Sequence, residues 1–587
     1  MKKRLISFLL AMSMLAGMMS PAIYAEETVS QEQPEATSET ALPMEPSLEV
    51  PEKPAPTDEL EESADANEPA REDTENTAKL NYTLDDDGNA TITGGYNIKS
   101  SLVIPREIDG HTVVSIGSEA FRYSAPDLET VTIPDSVTSI QEYAFFDCNN
   151  LTSVEIPDSV TVIGKQAFSS CDKLASVRLP SNLPALGAFA FSGCESLTEI
   201  NIPASLSAAN SPFEGCTNLK TIHFEDGITQ ILSFLFYGCT GLTEIEIPDT
   251  VTTIGMRAFY GATNLVSVSI PDCTTGIDGE AFSHCTKLTT VEIPNGVTYI
   301  GPYAFENCTN LASVNLPADL ETLYDYAFKN CTALTEINIP AGLSKAYHPF
   351  EGCSNLKMFH FEDGITQIAD YLFADCTTLT EIKIPDTVTT IGTGAFYEAT
   401  KLASVSIPDS VTTINSNAFQ ECDALTSVTI PSGVTEIGGY AFSGCDKLAE
   451  VSLSNGLKTI GDSAFYNCVS LKSITIPRTV TSLGTGAFSG DKALAEVTLG
   501  IGLTSIPTEC FYQIPALTKI RIPNRVTKIG DRAFANCTKL TEVTLPAATT
   551  SISSSAFSYP ARMTIYGYEG SYAQTFADSK KIKFVAR

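Results

Sequence analysis

Apolar positions recur along most of this chain with a long period, and phenylalanine marks it most plainly. Twenty Phe run from Phe121, Phe145 and Phe168 through to Phe557, and their intervals are 23 at sixteen of nineteen steps, 24 at one and 22 at two. The unit reads A-F-x-x-C-x-x-L-x-x-V-x-I-P-x-x-V-T-x-I-G-x-x, as in FSHCTKLTTVEIPNGVTYIGPYA from Phe282 to Ala304. Leu288, Val291 and Ile293 end in the alternation of a strand with one buried face. Pro follows that strand in 15 of 19 units, where the missing N–H stops the ladder. The second segment, V-T-x-I-G, predicts a short strand or extended turn on the opposite wall, with Gly at a tight corner. Phe turns inward as an aromatic spine. A fixed period in the twenties predicts a repeat solenoid of about twenty 23-residue repeats with a long parallel β-sheet. At ~4.8 Å per rung, that stack spans roughly 95 Å.

A second, longer repeat overlies the first. The stretch from Pro212 to Ile254 is echoed from Pro349 to Ile391, both reading PFEGC…HFEDGITQI…IPDTVTTIG. The offset between the copies is six units less a single residue, so a six-repeat block was duplicated whole.

The first eighty residues follow a different pattern. Residues 1–25 carry Lys2, Lys3 and Arg4, then an apolar run, then small residues to Ala25, which is the layout of a secretory signal peptide. Residues 26–78 hold 14 Glu, 3 Asp and 7 Pro with no aromatic residue, and predict a disordered acidic linker. The net charge of −34 over 587 residues therefore divides into +3 for residues 1–25, −15 for 26–78 and −22 for 79–587. An acidic chain of this kind disfavours nucleic acid, because phosphate contacts require clustered Lys and Arg.

The repeat L-x-x-V-x-I-P-x-x-V-T-x-I-G-x-x-A-F-x-x-C resembles the BspA-like, or Treponema-type, leucine-rich repeats of bacterial surface proteins. The resemblance implies a right-handed leucine-rich-repeat-like coil. It also implies an N-terminal cap hairpin and first rung over 79–122, a solenoid over 123–560 and a C-terminal cap over 561–587. For function it implies adhesion or protein–protein interaction, without a ligand site to carry over.

Candidate chemistry is sparse. Fourteen of 16 Cys stand three residues after the repeat Phe, and only Cys273 and Cys510 fall elsewhere. No C-x-x-C occurs, and rungs ~4.8 Å apart exceed the ~3.8 Å between Cβ atoms of a disulfide, so buried free thiols are expected. Ala262 and Ala399 in the same slot agree with a small apolar requirement. Asp85 to Asn89 reads as a hairpin turn rather than a calcium loop. The outward face of the sheet is the candidate binding surface: Glu199, His223, Glu244, Glu246, Glu292, Glu336, His360, Glu381 and Lys383. Glu246 is the neighbour considered for His223, but the duplicated block carries Lys383 there, so no metal site is expected. No catalytic motif, metal or cofactor is expected either. The sequence thus points to a secreted or extracellular, cell-surface-associated bacterial protein, monomeric and not inserted in a membrane after signal cleavage. Its expected partner is a protein or glycan on host or neighbouring cells, and a spacer without a specific ligand is the alternative. No sorting motif follows the closing cap, so release or non-covalent retention is expected.

Overall fold

In the unit that starts at Phe282, the strand Thr290–Glu292 pairs in parallel with Ser267–Ser269 before it and Ser313–Asn315 after it. Val291 lies opposite Val268 and Val314, so each apolar side chain stacks on its own counterpart. Alternation turns Val291 inward and leaves Thr290 and Glu292 exposed. Past Pro294 a second strand, Tyr299–Ile300, pairs with Gly276–Ile277 and Thr322–Leu323 on the other wall. Repetition of this unit makes a parallel β-solenoid of about 21 turns. The computed structural model describes residues 79–122, 125–558 and 562–587; the expected signal segment 1–25 and acidic linker 26–78 lie outside the described residues.

The interior is one column of stacked side chains. Consecutive Phe rings lie nearly parallel, for example Phe305 and Phe328 with centroids 5.1 Å apart at 2°. Beside them the cysteines form a second column. All sixteen thiols are free and fifteen are buried. Thirteen of the fourteen column cysteines, all but Cys376, also tie two rungs together, as when Cys308 Sγ donates to the Phe282 carbonyl at 3.2 Å. Burial pushes the Cys285 thiol up to about 12, which keeps it protonated and unreactive.

The third side of each turn is a pair of left-handed corners around Phe. Tyr303 (φ 57°) and Asn307 (φ 58°) flank Phe305 in this way. The glycine that closes the second strand has another reason to be small. A Cβ on Gly187 would overlap the carbonyl carbon of Gly164 on the rung below.

The two 22-residue intervals interrupt the stack. The missing residue falls in the second wall at Ala208–Asn210 and again at Lys345–Tyr347, where it shifts the register. In the following turn, Met358–Phe361 pairs only backward, with Glu336–Ile339, while Gln367–Ile368 pairs only forward, with Thr390–Ile391. An isolated bridge between Lys345 and Asp370 is what remains of the backward contact on that wall. Thr221–Phe224 and Gln230–Ile231 show the same arrangement in the earlier copy of the block. Each of these turns is half attached to either neighbour, and Ile222, Phe224, Phe359 and Phe361 are correspondingly only half-buried. In the later copy Phe359 also wedges between the spine rings, with centroids 6.3 Å from Phe350 and 4.6 Å from Phe373.

Both ends are covered. The antiparallel hairpin Lys79–Leu84 with Ala90–Tyr96 closes the first rung. Its turn is held by the Asp85 carboxylate, which accepts the Asn89 N–H at 2.8 Å. At the other end, Thr564–Gly567 and Lys583–Ala586 extend the sheet. Helix Tyr572–Lys580 there buries Phe576 against Phe557, the last ring of the spine. No helix of the described residues is long and apolar enough to cross a membrane.

Candidate functional site

All nine residues singled out from the sequence are exposed on the strand face. Strand alternation puts them there: Ile245, Val291, Ile337 and Ile382 beside them are buried, so their neighbours point to solvent. Parallel register then holds each outward side chain about 4.8 Å from its counterpart on the paired rung.

The structure brings some of these residues together and separates others. His223 Nε2 lies 3.6 Å from Glu199 Oε2, and His360 Nε2 lies 3.2 Å from Glu336 Oε2. His223 therefore meets the acid on the rung before it, not Glu246 on the rung after. The reason is the half-attached turn, since Thr221–Phe224 has no ladder to Glu244–Glu246. The inference that the histidine's acidic partner was lost on duplication is accordingly corrected: Glu199–His223 and Glu336–His360 are the same pair in the two copies of the block. The sequence offers Glu199 and Glu246 alike on the rungs beside His223, and the ladder chooses between them. Each pair has both side chains more than half exposed, so it contributes at most ~1 kcal/mol to stability. Glu244 and Glu246 lie beside Ser267 and Ser269, Glu292 beside Ser269 and Asn315, and Glu381 and Lys383 beside Ser404 and Ser406.

Two further residues of this face, Asn201 and Asn338, stand opposite His223 and His360 and are engaged in structural work. Asn201 accepts the Leu179 N–H at 2.7 Å and donates to the Leu179 carbonyl at 3.0 Å, and Asn338 does the same for Leu316. They cap the neighbouring strand rather than face a ligand. In contrast, Met358 is 51% exposed and stands in register with Glu336, so an apolar side chain joins the His360–Glu336 pair on one patch. Two shallow recesses lie away from this face. One, about 370 Å³, is lined by Arg478, Ile501, Gly502, Asn524 and Arg525. The other, about 300 Å³, opens beside Ser207–Ala209, where the chain is one residue short.

The third side of the turns holds a feature that the sequence reading passed over. Tyr326, His348 and Tyr371 stack rung upon rung, with His348 5.8 Å from Tyr326 and 5.1 Å from Tyr371. In the earlier block Tyr237 and Tyr260 stack at 4.9 Å. Positions two before and one after each Phe carry these rings, a column legible only once the corners are known to be left-handed.

Among solved structures, the fold is similar to a leucine-rich repeat protein from Bacteroides ovatus at 24% identity, over 80% of this chain and 97% of that one, with a TM-score of 0.37. A leucine-rich cell surface protein from Faecalibacterium prausnitzii matches at 24% identity over 85% and 96%, with a TM-score of 0.23. The pneumococcal vaccine antigen PcpA matches at 17% identity over 88% and 98%, with a TM-score of 0.32. No curated protein matches the chain. The family model for the BspA type leucine-rich repeat region matches residues 114–243, 229–348, 344–471 and 458–567. With the repeat accounted for over that span, the chain belongs to the BspA-type leucine-rich-repeat family.

Proposed function

We propose that this protein is exported and acts outside the cell or at its surface, where it binds another macromolecule through the exposed strand face. Adhesion to a protein or glycan on a host or neighbouring cell is the role this reading assigns. The observation that carries it is the face itself, a long array of exposed side chains held in fixed register by a buried core. Such a face offers far more than the ~800 Å² per partner that a stable interface needs. On this face Glu336 and His360, with Glu381 and Lys383 on the next strand, flank the exposed Met358, an apolar anchor with a polar rim. The reading assigns no catalytic role.

The test is adhesion of beads coated with the mature chain to epithelial cells and to other bacteria. Reversal of charge at Glu336, Glu381 and Lys383 together should reduce bead adhesion at least tenfold while leaving the melting temperature within a few degrees. Equal adhesion by parent and variant would remove this face from the reading. No adhesion by the parent would favour a spacer.

A further inference from the structure

His348, Glu351 and Asp375 project from the third side of the solenoid, on the corners around Phe350 and Phe373. His348 Nδ1 lies 2.8 Å from Asp375 Oδ2. One donor atom from each of the three residues lies within 4.8 Å of the others. The side chains are 23–33% exposed, which limits competing water without closing the site. His348 is packed against the ring of Tyr371, and both His348 (φ 48°) and Asp375 (φ 58°) sit in left-handed corners that aim them at one point.

The duplicated block supplies a comparison inside the same chain. The equivalent residues in the earlier copy are Ser211, Glu214 and Gly238. Two differences between the copies, Ser to His and Gly to Asp, add two metal-binding groups around the one retained glutamate. Position in the fold gives a second argument. The turn between these corners is the half-attached one, with Met358–Phe361 pairing only backward and Gln367–Ile368 only forward. His348 and Glu351 precede that turn and Asp375 follows it.

We infer that His348, Glu351 and Asp375 form a divalent-cation site that clamps the two ends of this loosely held turn. One imidazole and two carboxylates suit a borderline cation, zinc foremost, with water in the remaining position. Calcium is a poorer fit, because it takes six to eight oxygen ligands. Ligands of a tetrahedral zinc lie about 3.3 Å apart, given Zn–N and Zn–O bonds near 2.0–2.1 Å. A rotation of the Glu351 side chain closes the set. Lys329 opposes it, since its Nζ lies 3.2 Å from Glu351 Oε1 and the ion must displace it.

The experiment titrates zinc into the chelator-stripped mature chain, with calorimetry and native mass spectrometry as readouts. The control is the double variant H348S/D375G, which restores the residues that the other copy tolerates. Its remaining acidic groups are those of the parent, so non-specific uptake cancels. The parent should take up one more zinc ion than the double variant. Its affinity for that ion should rise at least threefold in K329Q. Zinc should also slow amide hydrogen exchange over residues 358–368 in the parent alone. Equal uptake by parent and double variant would overturn the site. Extra uptake without slowed exchange at 358–368 would overturn the clamp.

Discussion

Asp491 occupies the slot that fourteen rungs fill with cysteine, and the structure makes its replacement a sharp test of how this core is held. It is fully buried; Oδ1 accepts the Cys468 N–H at 2.8 Å, while Oδ2 has no partner among the described residues. Burial pushes the carboxyl well above the usual carboxylate range. The unfolded chain releases this proton near pH ~3.9, and the folded chain retains it at higher pH. Between the two pKa values the native state therefore binds more protons than the unfolded one, and stability falls as pH rises, by ~1.4 kcal/mol per pH unit. Asp491→Asn keeps the shape and the acceptor but does not ionise. Its amide can donate toward the Phe465 carbonyl, the acceptor class that Cys468 uses at Phe442. The variant should be more stable at pH 8 by the ~1–3 kcal/mol of one unpartnered buried polar atom plus the protonation cost, ~1.4 kcal/mol for each pH unit between ~3.9 and the folded pKa. That advantage should shrink as pH is lowered toward 4. Because solenoids open by segments, the assay is guanidinium unfolding combined with hydrogen exchange at the Cys445, Cys468 and Phe488 amides. An equal or lower stability for the variant at pH 8, or the same difference at pH 4.5 and pH 8, would refute the reasoning.

Two further outcomes are expected. A thiol reagent applied to the native chain should modify Cys273 alone, since the other fifteen cysteines are buried, and all sixteen should react after denaturation. Modification of several thiols before unfolding would mean that the column is open. Glu421 sits in a left-handed corner (φ 57°), and burial, with added repulsion from Asp423, Glu398 and Asp446, pushes its carboxyl up to about 7. Its deficit therefore develops as pH rises from ~4.3, the unfolded value, to about 7 and is constant above that. Glu421→Asn, the residue found at the matching Asn307 and Asn330 corners, should raise the melting temperature more at pH 8 than at pH 5. An equal rise at both would leave only the ~1 kcal/mol of corner strain as the cause.

The period, the buried and exposed faces, the proline-ended strand and the thiol column were all legible in the sequence. The partners of the candidate site were not. His223, which faces Asn201, reaches diagonally to Glu199 because the ladder runs backward from Thr221–Phe224 and stops there. A pattern of outward residues cannot say which neighbouring rung is attached. The 22-residue intervals were visible, but their consequence depends on which wall loses the residue.

In a solenoid each residue packs against its own counterpart one unit away, so a local pattern is already a statement about tertiary contacts. By itself, then, the sequence determined the architecture, the core and the face turned to solvent. Tertiary structure alone decided where the stack is weak, which acid meets each exposed histidine, and that His348, Glu351 and Asp375 converge. These outcomes depend on how the ladder attaches across a one-residue gap and on where left-handed corners aim their side chains between rungs, and the 23-residue period reports neither.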